Sequence, residues 1–235
     1  MYRLIASLIL GSTVAFAQVK VSPHSKLMFS TNSLGFVSEL PRAAPGTVGT
    51  TYYEERWLVA DLFLKGETKL EGVKVKLDLS THNFELLHGD VVKLLPGDKV
   101  LSFQWVTSEG NQEAFVRGNY ITSEGLKVNG FLKLISDTEP YQLLQFFTTE
   151  TISANYNPQL DVGNKDHQIV KKSRTFVAKD KLLVEVRGNK KKFLHDFKET
   201  FQTDVSQIVR EFDIDPRDEE ELIVLLKQLN YSKPG

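Results

Sequence analysis

Residues 73–79 read Val73-Lys74-Val75-Lys76-Leu77-Asp78-Leu79, apolar and polar side chains in strict alternation. A period of two belongs to a β-strand, whose successive side chains point to opposite faces. It predicts Val73, Val75, Leu77 and Leu79 on a buried face and Lys74, Lys76 and Asp78 on a wet one. The same texture runs outward from this stretch. Upstream lies Arg56–Leu64; downstream lie Asn83–Leu87, Asp90–Leu95, Val100–Val106, Glu113–Ile121, Leu126–Ile135 and Tyr141–Ile152. Turn formers separate the runs: Gly66, Gly72, Gly89, Pro96-Gly97-Asp98, Ser108-Glu109-Gly110-Asn111 and Ser123-Glu124-Gly125. Short strands with such breaks between them predict antiparallel hairpins, and the lack of helical periodicity between Trp57 and Val186 excludes a βαβ sheet. Residues 153–174, rich in Asn, Gly and Lys, read as a long exposed connection. A last hairpin follows, Arg174–Ala178 and Leu182–Arg187, turning at Lys179-Asp180-Lys181.

Beyond residue 188 the period changes. Phe193, Leu194, Phe197 and Phe201 trace one helix face, with Asn189 as the expected N-cap. Thr203 is expected to cap a second helix with Val205, Ile208, Val209 and Phe212 inward. Asp215-Pro216 is expected to open a third, with Leu222, Ile223, Leu225, Leu226 and Leu229 inward. Helices this short need packing partners. The fold class is therefore mainly β (α+β): a curved antiparallel sheet or open barrel-like body with a small cluster of C-terminal helices.

The first residues, MYRLIASLILGSTVAFA, carry Arg3, an apolar run from Leu4 to Leu10 and a small-x-small site at Ala15-Phe16-Ala17. That is the pattern of a cleaved secretory leader, too short to span a bilayer. The organisation expected is leader 1–17, a loop-rich segment 18–51 with a short strand near Lys26–Phe29, a β body 52–187 and a helical segment 188–230. The protein is expected to be exported, periplasmic or extracellular, and not transmembrane. Of 235 residues, 41% are apolar and 25% charged, which excludes a disordered, collagen-like or polytopic membrane chain. Net charge is -1, so no global field invites nucleic acid. There is no cysteine, which excludes disulfides, thiolate metal sites and a cysteine nucleophile.

No H-E-x-x-H, G-x-S-x-G, Ser-x-x-Lys or P-loop pattern occurs, so no catalytic, cofactor or metal-binding residue is assigned. His82 and His88, near Asp78, Glu85 and Asp90, form a conceivable metal set. Along a strand, however, they stand about 20 Å apart, at roughly 3.3 Å per residue, far beyond a shared ion. Glu54-Glu55 points to alternate sides if extended, and Glu219-Glu220-Glu221 suits a helix start. Phe146, Phe147, Phe176, Phe193 and Phe197 read as core filling, with an apolar ligand lining as the rival reading. Residues 165–192 hold ten basic and three acidic groups, and residues 193–235 five basic and ten acidic. The expectation is a solvated hairpin whose lysines face the acidic last helix.

The opening Asn189-Lys190-Lys191-Lys192-Phe193-Leu194-His195-Asp196-Phe197 resembles the tail of a large group of uncharacterised secreted Bacteroidetes proteins. So do Val205-x-x-Ile208-Val209-x-x-Phe212, Glu219-Glu220-Glu221-Leu222-Ile223 and Leu229-Asn230-Tyr231, together with Tyr53-Glu54-Glu55-Arg56-Trp57 before the first strand and Asp78 in its own. The resemblance implies export, a β-rich body and a helical tail, and no catalytic residues. Together these readings predict an exported non-enzymatic protein with a binding or envelope-structural role, its partner left open between an envelope component and an apolar ligand. Two alternatives stand beside it: a periplasmic carrier of a lipid or other apolar ligand, and a hydrolase of envelope polymers.

Overall fold

The computed structural model describes residues 46–157 and 159–231. The expected leader, the segment up to residue 45 and the strand near Lys26–Phe29 lie outside the described residues. The strands are β1 (Thr47–Val48), β2 (Leu58–Leu64), β3 (Lys69–Asp78), β4 (Asn83–His88), β5 (Val91–Leu95), β6 (Val100–Val106), β7 (Gln112–Thr122), β8 (Lys127–Thr138), β9 (Tyr141–Ile152), β10 (His167–Lys179) and β11 (Leu182–Glu185). Three helices follow: α1 (Lys190–Phe201), α2 (Ser206–Glu211) and α3 (Glu219–Tyr231). All strands join one sheet in the order β1-β10-β9-β8-β7-β6-β2-β3-β4-β5, with β11 on β10 and β7. Every pairing is antiparallel except β1 with β10 and β11 with β7.

The alternating stretch builds β3, with Val73, Val75 and Leu77 buried as expected, and Leu79 buried just beyond the strand. Asp78 departs from the pattern: it is buried, not wet. The chain turns there, and the carboxylate accepts from the Ser80 amide (2.7 Å), the Ser80 hydroxyl (2.6 Å), the Thr81 amide (3.1 Å) and the Thr51 hydroxyl (3.1 Å). Four donors offset the loss of water that would otherwise forbid a carboxylate inside.

The sheet curls over two cores. One holds the inward side chains of β2 to β6, among them Leu62, Val75, Phe84 and Phe103, with Phe115 and Phe131 from the far strands. The other lies inside the ring made by β7, β8, β9, β10 and β11, and holds Leu132, Leu144, Phe146, Phe176 and Leu183. Only two residue pairs, Leu182 with Ile121 and Leu183 with Thr122, close that ring, so it is a curled sheet rather than a barrel. On β10 the period of two divides the strand: Phe176 and Ala178 enter the ring, and Val177 faces the helices. There Val177, Tyr141, Leu143 and Val184 meet Phe193, Phe197, Phe201 and the α3 leucines.

The tail corrects three local expectations. Asn189 caps α1 as expected, accepting from the Lys192 amide at 2.8 Å. Thr203 caps nothing: its hydroxyl donates to the Phe201 carbonyl and meets the Tyr141 hydroxyl, and Asp204 takes the Ser206 amide instead. Asp218, not Asp215, receives the first amides of α3, because Asp215 is held by Arg217. Phe212 is exposed, since α2 ends before it and the chain turns away. Leu226 is fully buried inside α3. Leu226→Pro removes a helix hydrogen bond and collides with the preceding turn, and is expected to lower unfolding free energy by about 3 kcal/mol or more, read by chemical denaturation.

The segment 46–53, which spans the end of the expected loop 18–51 and the start of the expected β body, works as a strap. The Gly46 carbonyl accepts from the His167 amide, and Lys171 donates to the Tyr53 carbonyl at 2.9 Å. At its other end Tyr52 bridges to Asp78, and the Tyr53 amide reaches the Leu77 carbonyl. It thus ties β10 to β3 across the open side of the curl.

Candidate functional site

The expected connection 153–174 is only half a connection. Residues 167–174 belong to β10 and pair in register with β9, Gln168 with Ile152 through Arg174 with Phe146. The sequence hid this because Lys171, Lys172 and Arg174 carry little strand propensity; the long ladder to β9 overrides that preference. The result is an arm: from Phe147 through Thr175 none of the described residues is buried. β1 lies along its edge, so that Val48, Gln168 and Ile152 form one row across three strands.

At the tip the chain spends its polar groups on itself. The Asn155 amide donates to the Asn164 carbonyl, and the Asn164 amide to the Asn155 side chain at 2.7 Å. The Tyr156 hydroxyl donates to Asp161 at 2.7 Å, Lys165 lies 4.6 Å over the Tyr156 ring, and Asn157 pairs with Val162. Gly163, at φ 97°, sits so close to the Asn155 carbonyl that a Cβ there would lie 2.5 Å from its oxygen. Two apolar side chains nevertheless stand out from this braced loop: Leu160 is 68% and Val162 55% exposed.

Four of the ten basic groups in 165–192 form ion pairs among the described residues, none of them with the acidic last helix as expected. Lys172 pairs with Glu150 at 3.0 Å, Arg174 with Glu185, Arg187 with Glu124 and Glu185, and Lys192 with Asp196 at 2.7 Å. Lys172 and Arg174 find theirs on the neighbouring strand, Lys192 one helical turn away, and Arg187 in the β7–β8 turn and two residues back along the chain. Lys190 does approach the tail's acids. With Asn189, Asp213, Ile214, Asp215, Arg217 and Glu221 it lines a cavity of about 390 Å³ between the start of α1 and the α2–α3 connection. Hydrogen bonds from Arg217, helped by Lys190, hold the Asp215 carboxyl down to about 2.

His82 and His88 stand at opposite ends of β4, His88 exposed and His82 turned inward, so they share no site. Glu85 is taken by the Tyr52 hydroxyl at 2.7 Å. Among the described residues no three His, Asp or Glu side chains are placed to hold a metal. Phe146, Phe176, Phe193 and Phe197 are core, and Phe147 packs partly buried against Tyr53.

One buried polar centre had no local signal in the sequence. Glu113, its side chain 10% exposed, accepts from Tyr53 (3.0 Å), the Trp105 indole (3.0 Å) and Lys133 (2.6 Å). Its partners come from the strap, β6 and β8, and only the fold assembles them. Burial first, then the Glu113 carboxylate, push the Tyr53 phenol well above its ordinary range. All these groups are satisfied by one another, which is the arrangement of a structural network. Among the described residues no helix is long and apolar enough to cross a membrane. In comparison with known proteins the chain matches no family model, no curated protein and no solved structure, and its function is to be read from its own geometry.

Proposed function

We propose that this is an exported, non-enzymatic binding protein that attaches to a component of the cell envelope through the tip of the β9–β10 arm. The observation that carries this is the braced tip with Leu160 and Val162 exposed on it. A loop already held by its own hydrogen bonds loses little conformational entropy on docking. Covering its exposed apolar side chains adds favourable burial, while Asp161 between them keeps the hydrogen bond it accepts from the Tyr156 hydroxyl. Export rests on the leader pattern and on the likeness of the tail to secreted Bacteroidetes proteins. The carrier reading has less support: the cavity of about 390 Å³ is lined mainly by charged side chains of the tail, while the inward Phe and Leu of the body pack on one another. The test is co-sedimentation of purified protein with isolated envelope from the producing cells. Wild type is expected to sediment, and the double variant Leu160→Asp, Val162→Asp to bind at least about tenfold more weakly, the loss of two apolar anchors. Neither side chain is buried, so the variant's melting curve should match wild type. Failure of wild type to sediment, or equal sedimentation by both, overturns the reading.

A further inference from the structure

His82 occupies an unusual place. It ends the β3–β4 turn in the left-handed region, φ 54°, and its ring lies flat over Gly130 of β8, where a Cβ would be 2.7–2.9 Å from three ring atoms. The ring stacks on Phe146 of β9, centroids 5.3 Å apart and planes at 16°. The turn of the first core is thereby pinned into the wall of the second. Beside it Arg117 of β7 lies 5.1 Å over Phe131. His82 Nδ1 and Arg117 Nη1 are both buried without a hydrogen-bond partner. Arg117 forms no ion pair among the described residues; its Nη2 reaches only Asn129, at 3.5 Å.

We propose that His82 and Arg117 form an acid-released clasp, in which protonation of the half-buried His82 ring places a second cation beside Arg117, its Nδ1 buried and unpaired, and frees the β3–β4 turn from β8 and β9. The charged groups facing the ring come from several elements. Arg117 on β7 opposes protonation, and Arg174 of β10 lies over the same Phe146 ring. Asp78 at the end of β3 favours protonation, but its carboxylate is already engaged by four donors. Asp98, in the turn before β6, acts on Arg117. Burial first, then Arg117, bring His82 from its ordinary 6.5 down to about 4. The sign follows from linkage. The unfolded chain takes up the proton near 6.5 and the folded one only near 4, so the neutral ring's contribution is complete above pH 6.5 and is lost as pH falls from 6.5 to 4.

The test is hydrogen exchange of residues 79–99 between pH 7 and 4, corrected for intrinsic rates, with the His82 ring protons followed by NMR. Opening of this segment is expected to rise on the order of a hundredfold across that window, from a shift of this size, while the α1 and α3 amides stay protected. His82→Asn keeps a residue tolerant of the left-handed turn and should remove the pH step. Arg117→Gln leaves the ring in place and should raise its titration midpoint toward 6.5. A folded-state His82 midpoint near 6.5 in wild type, a pH step that survives in His82→Asn, or a midpoint unmoved by Arg117→Gln overturns the clasp.

Discussion

Gly97→Ala is expected to lower unfolding free energy by roughly 3–5 kcal/mol, the range of severe local misfits. A Cβ at this position would lie 1.8 Å from the His82 carbonyl oxygen and 2.9 Å from its carbonyl carbon. These are backbone atoms, so no rotamer change relieves the overlap. The turn before β6 must retreat from the β3–β4 turn, and the 2.9 Å bond from the Gly97 amide to the Asn83 side chain goes with it. Gly89→Ala is the control. Gly89 also sits in a turn, at φ 60°, but a Cβ there meets nothing within 4 Å. Its cost is backbone strain alone, about 1 kcal/mol. Denaturation curves that give the two variants equal losses would show that the close approach at Gly97 carries no weight.

The second large effect is Glu113→Ala, expected to cost about 2–3 kcal/mol, because three donors around a partly buried carboxylate lose their acceptor. The alanine leaves the Lys133 ammonium, the Trp105 indole and the Tyr53 hydroxyl facing an empty space between β6, β7 and the strap. Glu113→Gln separates charge from shape: the amide oxygen still accepts while the negative charge is gone. That variant should retain more than half of the lost stability, and absorbance titration should show the Tyr53 phenol ionising at lower pH than in wild type. A phenol unmoved by Glu113→Gln would mean that burial alone sets it.

Much of the fold was legible because its signals are local. The alternation at 73–79, the Gly and Pro breaks and the Phe193–Phe201 spacing each act within a few residues. They locate β6, β9 and α1 closely: β6 and β9 run Val100–Val106 and Tyr141–Ile152, the bounds their sequence runs suggest, whereas β3 starts at Lys69 and carries the expected break Gly72, at φ 62°, inside it. What was not legible depends on distant partners. Asp78 reads as a wet residue until Thr51 and the following turn supply its donors. Residues 167–174 read as connection until β9 pairs with them. Thr203 and Asp215 are good caps by type, but Tyr141 and Arg217 claim them first. The tip of the arm was legible as exposed loop from Asn155, Asn157, Gly163 and Asn164, but not the hydrogen bonds that brace it or the outward setting of Leu160 and Val162. The His82 niche had none, for its ring finds Gly130 and Phe146 only when two curled halves meet.

The strap has a kinetic consequence. Lys171 and the Tyr53 carbonyl it holds are 118 positions apart along the chain, and β1 finds its partner at a similar separation. Hairpins such as β3–β4 can zip as soon as they emerge, whereas this seal must wait until β10 exists. Closing so wide a loop is entropically slow and comes late in assembly. Under the export proposed above, the chain would therefore cross a translocation channel mostly unlocked, and complete its final shape on the far side.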